Sequence, residues 1–327
     1  ILTKDPTLPG GGTTPQLQQL LADPLLVLGT AAQLGSAPPP VLQSGSALVG
    51  DYPIDPHPQI VIDPATGNAL AIQVVNASQT SGVTVGNLSV SQRTNNVWST
   101  PTVLPSGDVS DPVLALSHDN TSSLAAAVVY EADNAPGTPA TQTLSQKLAA
   151  TDIRYRYFNG VSFGPEQSIT NDSLADINPS LAFNASGVGV AAWVHNTAAI
   201  PIDASGNYSR DTQDIQAAVW NAATHTFSAP ISITSPDGVA DYNPATFVDD
   251  SGRMYVVWIH GADDNNVLMY STSTGGAWSA PAVLPITGLT PAGSFKELAL
   301  GRDPQGNINV LFSYRNPLGN IGDAVQS

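Results

Sequence analysis

The chain has 327 residues, no cysteine, 28 glycines, 27 prolines and a formal net charge of −16. Those numbers exclude disulfides, thiolate metal sites and cysteine nucleophiles, and so acidic a chain repels phosphate backbones, so no nucleic-acid partner is expected. No apolar run reaches the ~18 residues that a membrane helix needs, and few charges with many Gly, Pro, Thr, Val and Ser fit an all-β protein.

The chain starts at Ile1 rather than Met, which reads as a processed or excised chain. Residues 1–19, with PTLPGGGTTPQ, read as an extended arm or linker through which the protein would assemble with other chains. Residues 17–28, LQQLLADPLLVL, are the one helical candidate, and Pro24 limits it to a turn or two. SAPPPVL at 36–42 is similar to SAPAVL at 279–284, which closes a later repeat.

From residue 53 the chain repeats itself. Each copy opens at a proline (Pro58, Pro112, Pro179, Pro244), runs through a polar turn into a β-branched strand, and ends on an aromatic residue followed by a proline. Short strands between Gly, Asp, Asn and Ser turns are meanders, and four strands per 40–50 residues is the size of a propeller blade. The expected fold is therefore an all-β β-propeller of four-stranded antiparallel blades at about 53–107, 108–172, 173–238 and 239–289, in one domain spanning 20–327. A fifth blade would combine 290–327, which holds FKELALGRDPQGNINVLFSYR, with outer strands from 25–46. Such sharing closes a ring and removes exposed strand edges; a longer parent chain would give six or more blades.

The turn before each closing strand carries a family resemblance. Ser271, Gly275 and Trp278 fall on the Asp-box pattern Ser-x-Asp-x-Gly-x-Thr-Trp, as do Ser91 and Trp98, then Gly160, Ser162 and Phe163, and Thr226 with Phe227. No copy keeps the Asp. The chain thus resembles sialidase-type β-propellers with degenerate Asp-box (BNR-like) repeats. The resemblance implies fold, not activity, and puts the boxes on the face away from any ligand. Trp98, Phe163, Phe227 and Trp278 are then expected as wedges between blades.

Function is expected at the opposite mouth of the ring. Asp111, Asp176, Asn178, Asp241 and Asn243 precede or open the first strands; Glu131, His195 and His260 end the second; Asp152 and Asp214 start the third. Repetition would bring these positions together as an acidic, hydrogen-bonding funnel. The same residue types also cap turns by bonding nearby backbone amides. Of the cations, Ca²⁺ suits Asp oxygens and carbonyls, although no complete calcium loop is present; Zn²⁺ lacks an adjacent His pair.

The first functional reading is a non-catalytic extracellular or cell-surface module for carbohydrate binding, adhesion or surface assembly, with a glycan or surface protein as partner. The alternative is a glycoside hydrolase with Glu131 as acid and Asp111 or Asp176 as base or nucleophile. A sialidase would need three arginines on one ligand, and Arg154, Arg210, Arg302 and Arg315 share no repeated position.

Overall fold

The computed structural model describes residues 57–80, 83–105, 108–118, 124–134, 144–199, 210–262, 265–275, 277–286, 293–303, 307–315 and 321–326. The first sheet runs β1 (Gln59–Ile62), β2 (Ala69–Thr80), β3 (Val83–Thr94) and β4 (Val97–Trp98), with β5 (Thr102–Val103) returning onto β3. The second runs β6 (Asp108–Leu116), β7 (Ala126–Asp133), β8 (Thr151–Phe158) and β9 (Gln167–Ser168), with helix α1 (Leu144–Ala149) before β8. The third runs β10 (Asp176–Phe183), β11 (Gly189–Asn196), β12 (Gln213–Asn221) and β13 (Thr226–Phe227), with β14 (Ile231–Ser232) on β12. The fourth runs β15 (Asp241–Val248), β16 (Met254–Ala262), β17 (Asn265–Ser273) and β18 (Ala282–Val283). The last runs β19 (Ser294–Arg302), β20 (Ile308–Arg315) and β21 (Ile321–Gln326).

Every sheet is an antiparallel meander in chain order. The first strand of each sheet packs on the first strand of the next: β1 on β6, β6 on β10, β10 on β15, β15 on β19. These sheets are the blades of a β-propeller, with first strands innermost.

The second strands show why. β7 reads AAVVYEAD and β11 reads GVAAWVHN, and both are buried along nearly their whole length. A strand covered on both faces does not alternate in polarity. Ala126, Val128, Tyr130 and Ala132 pack with Leu70, Val74 and Leu88 of the first sheet. Ala127 and Val129, on the other face, pack with Leu181, Ala191 and Trp193 of the third. Val190, Ala192 and Val194 then pack toward Tyr242 and Val256 of the fourth. The core thus lies between sheets. Trp193, Trp258 and Tyr130 are each 0% exposed, and burying a large apolar side chain contributes about 1.5–3 kcal/mol.

Each later first strand breaks register near its start, between Ser110 and Val113, Ile177 and Ser180, Tyr242 and Ala245, and Phe295 and Leu298. The skipped residues are Asp111-Pro112, Asn178-Pro179, Asn243-Pro244 and Lys296-Glu297. Proline has no N–H for the ladder, so a bulge is where a strand accepts it. Asp111 (φ 45°), Asn178 (54°) and Asn243 (50°) are left-handed, as is His57 (36°) before Pro58. Asn and Asp accept that conformation more readily than other side-chain-bearing residues.

Phe163, Phe227 and Trp278 pack against the cores between sheets. Trp98 does not; it is 44% exposed, because β4 is a two-residue outer edge with both residues exposed. Helix α1 was not expected. It is tied to the second sheet by Lys147 Nζ to Asp108 Oδ2 at 2.8 Å. β21 adds a third strand to a sheet read as supplying two. The arm at 1–19, the helical stretch at 17–28, the outer strands at 25–46, and loop residues 135–143 and 200–209 lie outside the described residues.

Candidate functional site

The bulges surround a cavity of about 340 Å³. Its lining takes His57 and Gln59 from the first sheet, Asp111, Pro112 and Val113 from the second, Asn178 and Pro179 from the third, Asn243 and Pro244 from the fourth, and Glu297 and Leu298 from the last. All five sheets contribute residues at or near the start of their first strands, so the cavity lies where those strands converge. In the second, third and fourth sheets the left-handed residue of the bulge turns its polar side chain out of the strand's alternation, and the following proline makes no ladder bond there. His57 Nε2 lies 3.1 Å from Asp111 Oδ1. Asn243 Nδ2 donates to the Lys296 carbonyl at 2.8 Å, joining the bulge of the fourth sheet to that of the last.

Glu131 stands behind this ring. The strand pairing sets it opposite Ser110, whereas His195 and His260 pair with Asp176 and Asp241. Glu131 is therefore one residue out of step with the histidines. Its counterparts are Val194, Ile259 and Tyr314, all buried core residues. A carboxyl group thus occupies a core position, 8% exposed, facing the third sheet. Its Oε1 accepts the Asn178 backbone N–H at 2.7 Å and its Oε2 accepts the Ser110 hydroxyl at 2.8 Å. Burial, then the nearby Asp111 charge, pushes the Glu131 carboxyl up to about 7 against these two donors. The negative charge of Asp111 thus helps Glu131 keep its proton well above the usual carboxylate range.

The other carboxylates named from the sequence are not in the cavity lining. Asp176 Oδ1 accepts Trp193 Nε1–H at 2.9 Å and meets His195 Nδ1 at 2.8 Å. Asp241 Oδ1 repeats this with Trp258 Nε1–H at 2.6 Å and His260 Nδ1 at 2.8 Å. Burial raises both carboxyls, and the bond to Asp176 raises the His195 imidazole. Asp152 and Asp214 make a second repeated unit. Thr170 and Thr234 hydroxyls donate to them at 3.2 and 2.9 Å, and accept the Ile153 and Ile215 N–H groups. Burial raises these two carboxyls as well. Of the expected funnel, the structure thus gathers Asp111, Asn178 and Asn243 around one space, with Glu131 behind them.

Glu297 and Gln59 in the lining, and Ser110 against Glu131, were not singled out from the sequence. The fifth copy reads Lys296-Glu297 where the others read X-Pro, so the proline that marks the bulge elsewhere is missing. Counting back from Leu298, the counterpart of Val113 and Ser180, would have found it.

No protein-family model matches the chain, and no curated protein matches its sequence. Solved structures do. A mutant α-L-arabinofuranosidase from Fusarium graminearum, in complex with an iminosugar inhibitor, matches at 12% identity with a TM-score of 0.52, over 85% of this chain and 79% of that one. A protein of unknown function from Dyadobacter fermentans matches at 12% identity and 0.51, over 83% and 78%. An α-L-arabinanase from Penicillium chrysogenum with arabinobiose matches at 14% identity and 0.47, over 82% and 80%. The two matches above a TM-score of 0.5, at 12% identity, bear on the fold alone and agree with the β-propeller.

Proposed function

We propose that the protein is a glycoside hydrolase whose carboxylates act at the mouth of the cavity between its blades. The observation that supports this most is Glu131, a buried carboxyl at a core position, raised to about 7 and set against Asp111 in the cavity lining. A group that keeps its proton near neutral pH is suited to protonate a leaving glycosidic oxygen. Asp111 is the neighbouring charge that keeps Glu131 protonated, so it is assigned to the acid and not to the base or nucleophile. Glu297, from the last sheet, lines the same cavity and supplies the second carboxylate, as base or nucleophile. Asp176, buried against Trp193 and His195, is set aside from that role. Glu131 gives its proton to the leaving oxygen; either Glu297 deprotonates the water that attacks the anomeric carbon, or Glu297 itself attacks to form a glycosyl-enzyme that water, deprotonated by the Glu131 carboxylate, then hydrolyses.

A glycan panel tests this, headed by arabinofuranosides because the arabinofuranosidase similar in fold is named for them. The wild type should turn over at least one member, and Glu131→Gln and Glu297→Gln should each lower kcat by about a hundredfold or more. Turnover that survives both substitutions would refute the assignment. A non-catalytic glycan-binding module is the second reading, favoured by one observation: both Glu131 oxygens are already engaged by Ser110 and Asn178. On that reading glycan binds without turnover, and Glu131→Gln binds as the wild type does. The acidic, cysteine-free composition suits either activity outside the cell.

A further inference from the structure

A second polar cluster lies away from the cavity, between the second and third sheets. Asp172 sits in the connection leading into β10, Asp176 opens β10, and His195 is near the end of β11. One ligand atom from each of the three lies within 4.8 Å of the others. Asp176 is 0% exposed and unevenly satisfied. Its Oδ1 meets both Trp193 Nε1–H and His195 Nδ1, while its Oδ2 is buried with no hydrogen-bond partner. Thr170 has one hydroxyl proton nearby and gives it to Asp152. No Lys or Arg among the described residues pairs with Asp172 or Asp176. A bare carboxylate oxygen in a buried place, beside a second carboxylate, is a strongly unfavourable arrangement unless a cation meets it.

We propose that Asp172, Asp176 and His195 form a binding site for a divalent transition metal of the Zn²⁺ class. One imidazole nitrogen with two carboxylates is a donor set for Zn²⁺, Mn²⁺ or Co²⁺; Ca²⁺ takes oxygen ligands. Tetrahedral Zn²⁺ brings its ligand atoms to about 3.3 Å of one another. Asp172 is exposed, and its Oδ1 accepts the Leu174 N–H at 2.8 Å, which leaves Oδ2 to meet the ion. Water completes the coordination, and the ion pins the inter-sheet connection to the third sheet.

The next blade supplies an internal control. Asp237, Asp241, Trp258 and His260 repeat the spacing of Asp172, Asp176, Trp193 and His195 letter for letter. Among the described residues, however, only the first set gathers three ligand atoms within that distance. Shared sequence therefore does not by itself make the site.

The test is calorimetric titration of chelator-stripped full chain with Zn²⁺ alone and with Ca²⁺ alone. The wild type should bind one equivalent of Zn²⁺ in preference to Ca²⁺. Asp172→Asn and His195→Gln should weaken it at least about tenfold, the least that loss of even an outer-shell partner costs at such sites. His260→Gln should bind as the wild type does. Asp172 is exposed, so near-ultraviolet circular dichroism should show that variant folded, and it decides the matter if His195→Gln is not. No Zn²⁺ binding by the wild type, unchanged affinity in Asp172→Asn, preference for Ca²⁺, or equal loss in His260→Gln would each overturn the proposal.

Discussion

At the scale of the residue, Glu131 is the anomaly. Where the neighbouring blades place Val194 and Ile259, the second places a carboxyl group. Its ordinary value of 4.5 rises to about 7 in the folded chain, so the folded state holds this proton more tightly than the unfolded state does. Folding thus loses stability as pH climbs from about 4.5 to 7, a cost absent below that window and constant above it. At pH 8 the cost is on the order of 3 kcal/mol. Urea denaturation of Glu131→Gln should show a variant more stable than the wild type at pH 8, with the gain fading toward pH 4.5. A variant equally destabilised at both ends would mean that Glu131 is an ionised structural group. The residue was visible in the sequence, but not its company. A one-residue offset in strand pairing put it on the opposite face from His195, and side chains that alternate along a strand leave no trace of such an offset in the letters.

At the scale of the element, the left-handed bulge delivers polar groups to the cavity. The sequence announced it three times as X-Pro, and three of the four bulges were legible from that proline. The fourth, Lys296-Glu297, was not, because a bulge requires extra backbone rather than a particular residue. Asn178 offers a clean probe, since its N–H to Glu131 survives any change of side chain. Asn178→Ala should cost about 1–2 kcal/mol, the penalty of left-handed backbone for a residue with a Cβ and no local hydrogen bond. Asn178→Gly should be close to neutral. Equal stabilities for the two variants in urea would show that the conformation at φ 54° is not what selects Asn there. The carboxylates at the same end were legible as repeated letters too. Their pairing with Trp, His and Thr was not, since those partners come from the neighbouring strands and the connections between sheets.

At the scale of the whole molecule, stability resides in the seams between sheets. Gly86 of β3 faces one: a Cβ there would lie 2.3 Å from the Val109 carbonyl oxygen and 2.7 Å from Val74 Cγ1. Its N–H donates to Asp108 Oδ1 across the same seam at 2.9 Å. Gly86→Ala should lower stability by about 1–3 kcal/mol, read by thermal or urea unfolding, because a packed seam cannot widen at one point. Period and proline spacing made the propeller legible, because each blade repeats one local pattern. Trp98 was misjudged because wedge and edge carry the same aromatic letter, and only the neighbouring sheet decides between them. Glu131 is a protonated carboxyl beside Asp111, behind the cavity where the first strands converge. Infrared difference spectroscopy of the wild type against Glu131→Gln, from about pH 4 to pH 10, follows that proton through the carboxylic C=O band. A Glu131 band that persists through pH 6 and titrates near 7 is the predicted result; a band already lost by pH 5 would contradict it.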